Sequence, residues 1–149
     1  MKRCAPRRQH GAATIEFALM LMLTFSGVMI MAAQQTLATA SAEGARASLR
    51  YASANERRVA ACTAARRSMQ WLLQFSSQEP DCSAGGSGAI VVSPLAACSG
   101  LASAQCVTVT VSYDYAAHPF LPGTGTLYGW VMGDPIRSRA VAQLDLGSN

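Results

Sequence analysis

The sequence predicts an α+β chain in which a long N-terminal apolar helix runs on into a small, helix-covered, mostly antiparallel β-sheet. Three observations predict it. From Phe17 to Ala33 no side chain is charged. No proline interrupts the chain between Pro6 and Pro80, so helix can continue far past that run. The stretch "CVTVTVSYDY" at 106–115 alternates apolar and polar residues with a period of two, the pattern of a half-buried strand. At 149 residues there is room for one domain and an appendage. The expected organisation is a basic leader over 1–11, a membrane-length helix over 12–33, a helical extension over 34–53 and a folded α+β domain over 54–149.

The leader carries the charge. Lys2, Arg3, Arg7 and Arg8 hold four of the twelve basic residues, and beyond Gly11 eight arginines balance eight acidic residues. With that cluster set aside, no basic stripe with interleaved aromatics remains, which argues against nucleic acid as a partner.

The next element, Ala12 to Ala33, is 22 residues long. At 1.5 Å per residue it can span a bilayer. Four basic residues precede it and the first after it is Arg46, so the positive-inside rule keeps the N-terminus cytoplasmic. The expectation is a single-pass protein of a bacterial inner membrane, in contact with lipid, with its C-terminal domain in the periplasm. Other fates are weaker. Ala38-Thr39-Ala40 before Ser41 offers a signal-peptidase site, but the apolar run is longer than an ordinary signal core. Arg7-Arg8 lacks the apolar pair of a twin-arginine signal, and Cys4 lacks a lipobox. An uncleaved anchor is the plainest alternative.

Glu16 stands at the mouth of this helix. A carboxylate at the centre of a membrane helix costs about 2.5–3.5 kcal/mol, less near the interface. It persists where it snorkels to the headgroups or where something neutralises it.

Gly11 followed by Ala-Ala-Thr-Ile-Glu-Phe resembles a class of type IV prepilin cleavage sites, in which a short basic leader ends in glycine and a glutamate is the fifth mature residue. The resemblance implies a prepilin peptidase as a partner, cutting between Gly11 and Ala12 on the cytoplasmic side and leaving the helix in place. The new amine on Ala12 then lies four residues before Glu16 on one helix face. In such assemblies the amine of one subunit meets the glutamate of the next, so Glu16, with Phe17 beside it, is the implied assembly position.

In the folded domain, "QQTLATASAEGARASLRYAS" reads as helix, its one glycine, Gly44, being tolerable. A second helix is expected from Asn55 as N-cap, with Glu56 in its first turn. Val59, Cys62, Met69, Leu72, Leu73 and Phe75 give it an apolar face, and Arg57, Arg58, Arg66 and Arg67 a solvated one. Pro80 and "SSQEPDCSAGGSG" end it. "AIVVS" at 89–93 reads as a short buried strand. In the longest strand, Val107, Val109, Val111 and Tyr113 share one face. After the loop "AAHPFLPGTGT", "IRSRAVAQLDL" reads as the terminal strand.

Cys62, Cys82, Cys98 and Cys106 all follow the apolar run, and an even set beyond a membrane predicts two disulfides. Three pairings are possible. The favoured one closes the short Cys98–Cys106 loop and leaves Cys62 to Cys82. Buried free thiols are the alternative. No pair has zinc-knuckle spacing, and no metal or cofactor is expected.

This order of elements resembles the TadE-like pseudopilins of tight-adherence (Tad, or Flp) pilus systems. The resemblance rests on "GAATIEFALML", on "EGARAS" after the membrane helix, and on "VTVTVSYDY" before an Arg-containing last strand. It implies a type IV pilin-like fold and a minor subunit that assists assembly of an adhesive pilus or its secretion machinery. The implied partners are other pilin and pseudopilin subunits and an inner-membrane assembly platform. The four cysteines depart from the usual pattern, as does a last strand reading "RSRAVAQ" where a terminal acidic residue is common.

No catalytic constellation stands out, and an enzyme is not expected. His118 is the one histidine beyond the leader and sits beside Pro119 in a loop. Two other readings stay open. One is a pseudopilin of another type IV filament or type II secretion system. The other is a signal-anchored or secreted periplasmic binding module contacting a ligand through residues 116–126, with Phe120 and Trp130 as its contacts, although core packing is the expected fate of both rings.

Overall fold

Small residues decide where the long helix docks. The computed structural model describes residues 9–50, 53–80, 82 and 88–144, with the backbone alone for 9–12 and 101–103. Residues 1–8, with the basic cluster and Cys4, lie outside the described residues. Helix α1 (Gln9–Ser48) is a single unbroken helix of 40 residues, so the predicted apolar run and its extension are one element. It starts inside the predicted leader and stops at Ser48 rather than 53. The amides of Leu49 and Arg50 close a turn onto the carbonyls of Arg46 and Ala47 at 3.2 and 3.3 Å.

Helix α2 (Ala54–Ser68) is capped by Ser53, not by Asn55. Ser53 accepts from the Glu56 amide at 3.3 Å and its hydroxyl donates to the Glu56 carboxylate at 2.6 Å. Ser-x-x-Glu is the capping-box spacing, which outcompetes an isolated asparagine two residues on. Asn55 instead accepts from Arg58 at 2.7 Å. At Met69 the helix breaks, and α3 (Gln70–Ser76) restarts. The break shifts the apolar period for the residues after it. Cys62, Met69, Leu72 and Leu73 are buried as expected, whereas Val59 and Phe75 are exposed. Ser77, in the left-handed region, ends α3 ahead of Pro80.

The sheet has four strands, β1 (Ile90–Val92), β2 (Ala96–Cys98), β3 (Leu101–Tyr113) and β4 (Ile136–Leu144), all paired antiparallel to β3. β2 went unpredicted. β4 pairs along residues 105–113 of β3 and so overlaps both β1 and β2. Those two therefore lie end to end on the opposite edge. As the alternation predicted, Val107, Val109, Val111 and Tyr113 are buried on one face.

That face receives the second half of α1 and helix α2. Ala33, Leu37, Ala40, Ser41, Gly44, Ala45 and Ser48 are buried along α1, meeting Ala61, Cys62 and Ala65 of α2. A Cβ on Gly44 would lie 3.0 Å from both the Ala61 carbonyl oxygen and Val109 Cγ1. Glycine is thus required by close approach of three elements, not by its backbone angles. Both favoured disulfides are present, Cys62–Cys82 and Cys98–Cys106. On chain-entropy grounds, closing a loop of 20 residues contributes roughly 3 kcal/mol.

Candidate functional site

Hydrocarbon side chains surround the first half of α1. Ile15, Phe17, Leu19, Met20, Leu21, Met22, Phe25, Val28 and Met31 are all exposed, Phe17 at 66%. The segment Ala13–Ser48 is long and apolar enough to cross a membrane by length and composition. Gly11 and Ala12 lie in the opening turns of this helix, followed by Glu16.

Two hydroxyls on this segment satisfy themselves. Thr24 Oγ1 donates to the carbonyls of Met20 and Leu21, and Ser26 Oγ donates to that of Met22 at 2.8 Å. Such back-bonding lets a hydroxyl sit in an apolar environment without a partner from outside. Glu16 cannot do the same, because its carboxylate only accepts and the helix amides beside it are already used. It is exposed, and among the described residues no cation pairs with it; the ion pair present is Arg46–Glu43 at 3.2 Å. Whatever neutralises Glu16 in an apolar surrounding comes from beyond these residues.

Where the helix meets the domain, aromatic rings collect. Phe120 packs its ring against Trp71, Phe75, Tyr113 and Tyr115 with centroids 5.2–5.8 Å apart. Trp71 Nε1 donates to Thr36 Oγ1 at 3.1 Å, fixing this cluster to α1. Tyr113 donates to the His118 carbonyl at 2.6 Å. Burial, reinforced by neighbouring Tyr115 and Asp114, pushes the Tyr113 phenol up to about 12. His118 is half-buried in this loop, its amide bonded to the Asp114 carbonyl.

Phe120 is packed, as core placement required, but Trp130 is not. It is 84% exposed, on a helix that went unpredicted, α4 (Thr124–Met132). The signal was in the sequence: Gly125 and Gly129, four apart, make a flat inward side, and Leu127, Trp130 and Val131 fall together on the outer one. The arginine pairs divide. Arg66 and Arg67 are exposed and line an open groove with Gln70, Gln74 and Glu79, whereas Arg57 and Arg58 are half-buried. Among the described residues no three His, Cys, Asp or Glu side chains cluster in a way that could hold a metal ion.

No family model, no curated protein and no solved structure matches this chain.

Proposed function

We propose that the chain is a pilin-like minor subunit of the TadE-like kind, made with a leader that a prepilin peptidase removes after Gly11. The first half of α1 then serves twice, as a single membrane span and as the helix by which subunits pack. The observation that carries this reading is Glu16. It is a carboxylate on an apolar, exposed helix, without a cation from the described residues and four positions beyond Ala12. An amine created at Ala12 of one subunit supplies the missing positive charge to Glu16 of the next. Each charge alone is expensive in an apolar bundle, and together they offset most of that cost.

Burial along α1 favours this over secretion. A cut before Ser41 would strip away Ala33, Leu37 and Ala40, each wholly buried in the domain core. A peptidase acting at Gly11 leaves that core whole. The two disulfides agree with a domain held in an oxidising compartment such as the periplasm.

The test is the intact mass and N-terminal sequence of the protein recovered from bacterial membranes. A chain beginning at Ala12 is expected. A chain beginning near Ser41, or an uncut Met1, overturns the proposal. Glu16→Val should leave cleavage and insertion unchanged and abolish co-purification with partner subunits. Undiminished co-purification would remove Glu16 from assembly.

A further inference from the structure

The direction of the chain fixes which end of the domain faces the free half of α1. Gly44 abuts Val109, and Ser41 Oγ lies 3.0 Å from Ser138 Oγ, whose residue pairs with Val111. Stepping toward the N-terminus along α1 is therefore stepping toward Tyr113 along β3. The sheet ends at the Tyr113–Ile136 pair. Everything between them, residues 114–135, lies at the end of the sheet from which the free half of α1 emerges. The Trp71–Thr36 hydrogen bond and the Trp71–Phe120 stack at 5.8 Å place this return level with Thr36. Thr36 stands just after Gln34 and Gln35, the first polar side chains beyond the apolar run. From Ala13 to Ala32 the helix rises about 30 Å, the thickness of a bilayer's hydrocarbon. The helix face turned to the domain reaches a little lower, to Ile30, which packs against the core with Ala33 and Leu37.

Helix α4 belongs to this return, and its sidedness is inverted. Inward it offers Gly125, where a Cβ would lie 2.6 Å from the Ala116 carbonyl, and Tyr128, whose ring packs on Tyr115 at 4.8 Å. Outward it offers Leu127, Trp130, Val131 and Met132, exposed by 52, 84, 63 and 56%. The first three are spaced i, i+3, i+4, one helix face. The helix "TGTLYGWVM" holds no charge.

We propose that the outer face of α4 is a second membrane contact, a short helix lying in the periplasmic interface of the bilayer beside the point where α1 leaves it. The inference rests on the reading of α1 as a membrane span. Its occupant is lipid because α4 belongs to the return that packs beside Thr36, where the apolar run of α1 ends, and its uncharged outer face carries a tryptophan. Indole rings gather at that depth, and an apolar helix face with Trp and Leu is how interfacial helices bind. Two contacts in place of one fix the tilt and rotation of the domain over the membrane, which a single helix leaves free.

The full chain, reconstituted in phosphatidylcholine vesicles with and without brominated acyl chains, tests this. The chain has two tryptophans, so the difference in emission between the native protein and Trp130→Phe isolates Trp130. Trp130 is exposed enough for that change to leave the core alone. The expected result is that the Trp130 component is shifted to the blue and loses most of its intensity in brominated lipid. Emission typical of water, unquenched in protein that floats with the vesicles, overturns the α4 contact while leaving the α1 span intact. Blue-shifted emission that ignores bromine but follows the protein-to-lipid ratio overturns it in favour of a subunit contact. Protein that fails to float overturns both readings.

Discussion

The two halves of α1 invert the usual relation between size and burial. Residues 13–31 are rich in Leu, Met, Phe and Val, and those side chains are exposed. Residues 33–48 are mostly Ala, Ser, Thr and Gly, and seven of them are buried or lie at closest contact with the domain. In a soluble helix the large apolar residues would be the ones inside. Here the small ones let α1, α2 and β3 approach closely, so the interface gains from contact at short range. The large ones stay exposed, along a segment long and apolar enough to cross a membrane. One helix thus carries two interfaces, and the domain occupies only the one built of small residues.

Two glycines make the sharpest comparison. Gly27 has open space where its side chain would be, and Gly44 has none. Gly44→Val must push α2 or β3 away, so about 3 kcal/mol of destabilisation is expected. In a domain of this size that lowers the melting temperature by about 15 °C, measured on the full chain in mild detergent. Gly27→Val should leave the same transition within about 0.5 kcal/mol, as a surface change does. Equal effects would mean that the halves do not differ as described.

These differences also mark how far residues alone could lead. The strand face Val107 to Tyr113 was legible because a period of two has one inside and one outside. The disulfide partners followed from loop length and elimination among Cys62, Cys82, Cys98 and Cys106. The end of α1 was not legible. Residues after Ser48 have no breaker, and what stops the helix is the capping of the next one by Ser53 together with the need to bring Ala61 against Gly44. Helix α4 was missed because its period, Leu127, Trp130 and Val131, spans barely one turn after a Pro- and Gly-rich loop, too short a run to tell from strand or loop. Its inward face is Gly125 and Gly129 with Tyr128 as the one large side chain, a pattern that a search for several buried large residues passes over. Gly11, Glu16 and Phe17 are assigned by spacing alone, and their roles stay part of the proposal, since local sequence is what a peptidase would read.

The junction between the halves should yield to alkali. An unfolded tyrosine ionises near 10, while burial holds Tyr113 at about 12. Between those values the unfolded chain has lost a proton that the folded chain still holds. Stability is therefore full below about pH 10 and falls as pH rises toward 12, by up to about 2 kcal/mol for this group. Phenolate absorbance and tertiary circular dichroism should change together there, with the helix signal of the detergent-held half of α1 persisting. A Tyr113 that titrates with the exposed phenols would show that the aromatic cluster does not seal the sheet end.

The smallest effect separates a hydroxyl that joins elements from one that serves its own helix. Ser41 Oγ donates to the Ala38 carbonyl at 3.0 Å, so its contact with Ser138 is one in which Ser138 donates and Ser41 accepts. Ser138→Ala removes the donor and leaves Ser41 with its other bond, a loss of about 0.5–1 kcal/mol with no stranded group. Ser41→Ala should cost somewhat more, because the half-buried Ser138 hydroxyl then loses its acceptor. Thr24→Ala, which deletes only bonds to Met20 and Leu21 of its own helix, should not move the domain's unfolding transition at all. That ranking follows from direction of donation rather than from burial. An effect of Thr24→Ala on domain unfolding as large as that of Ser41→Ala would mean that the free half of α1 is coupled to the sheet after all.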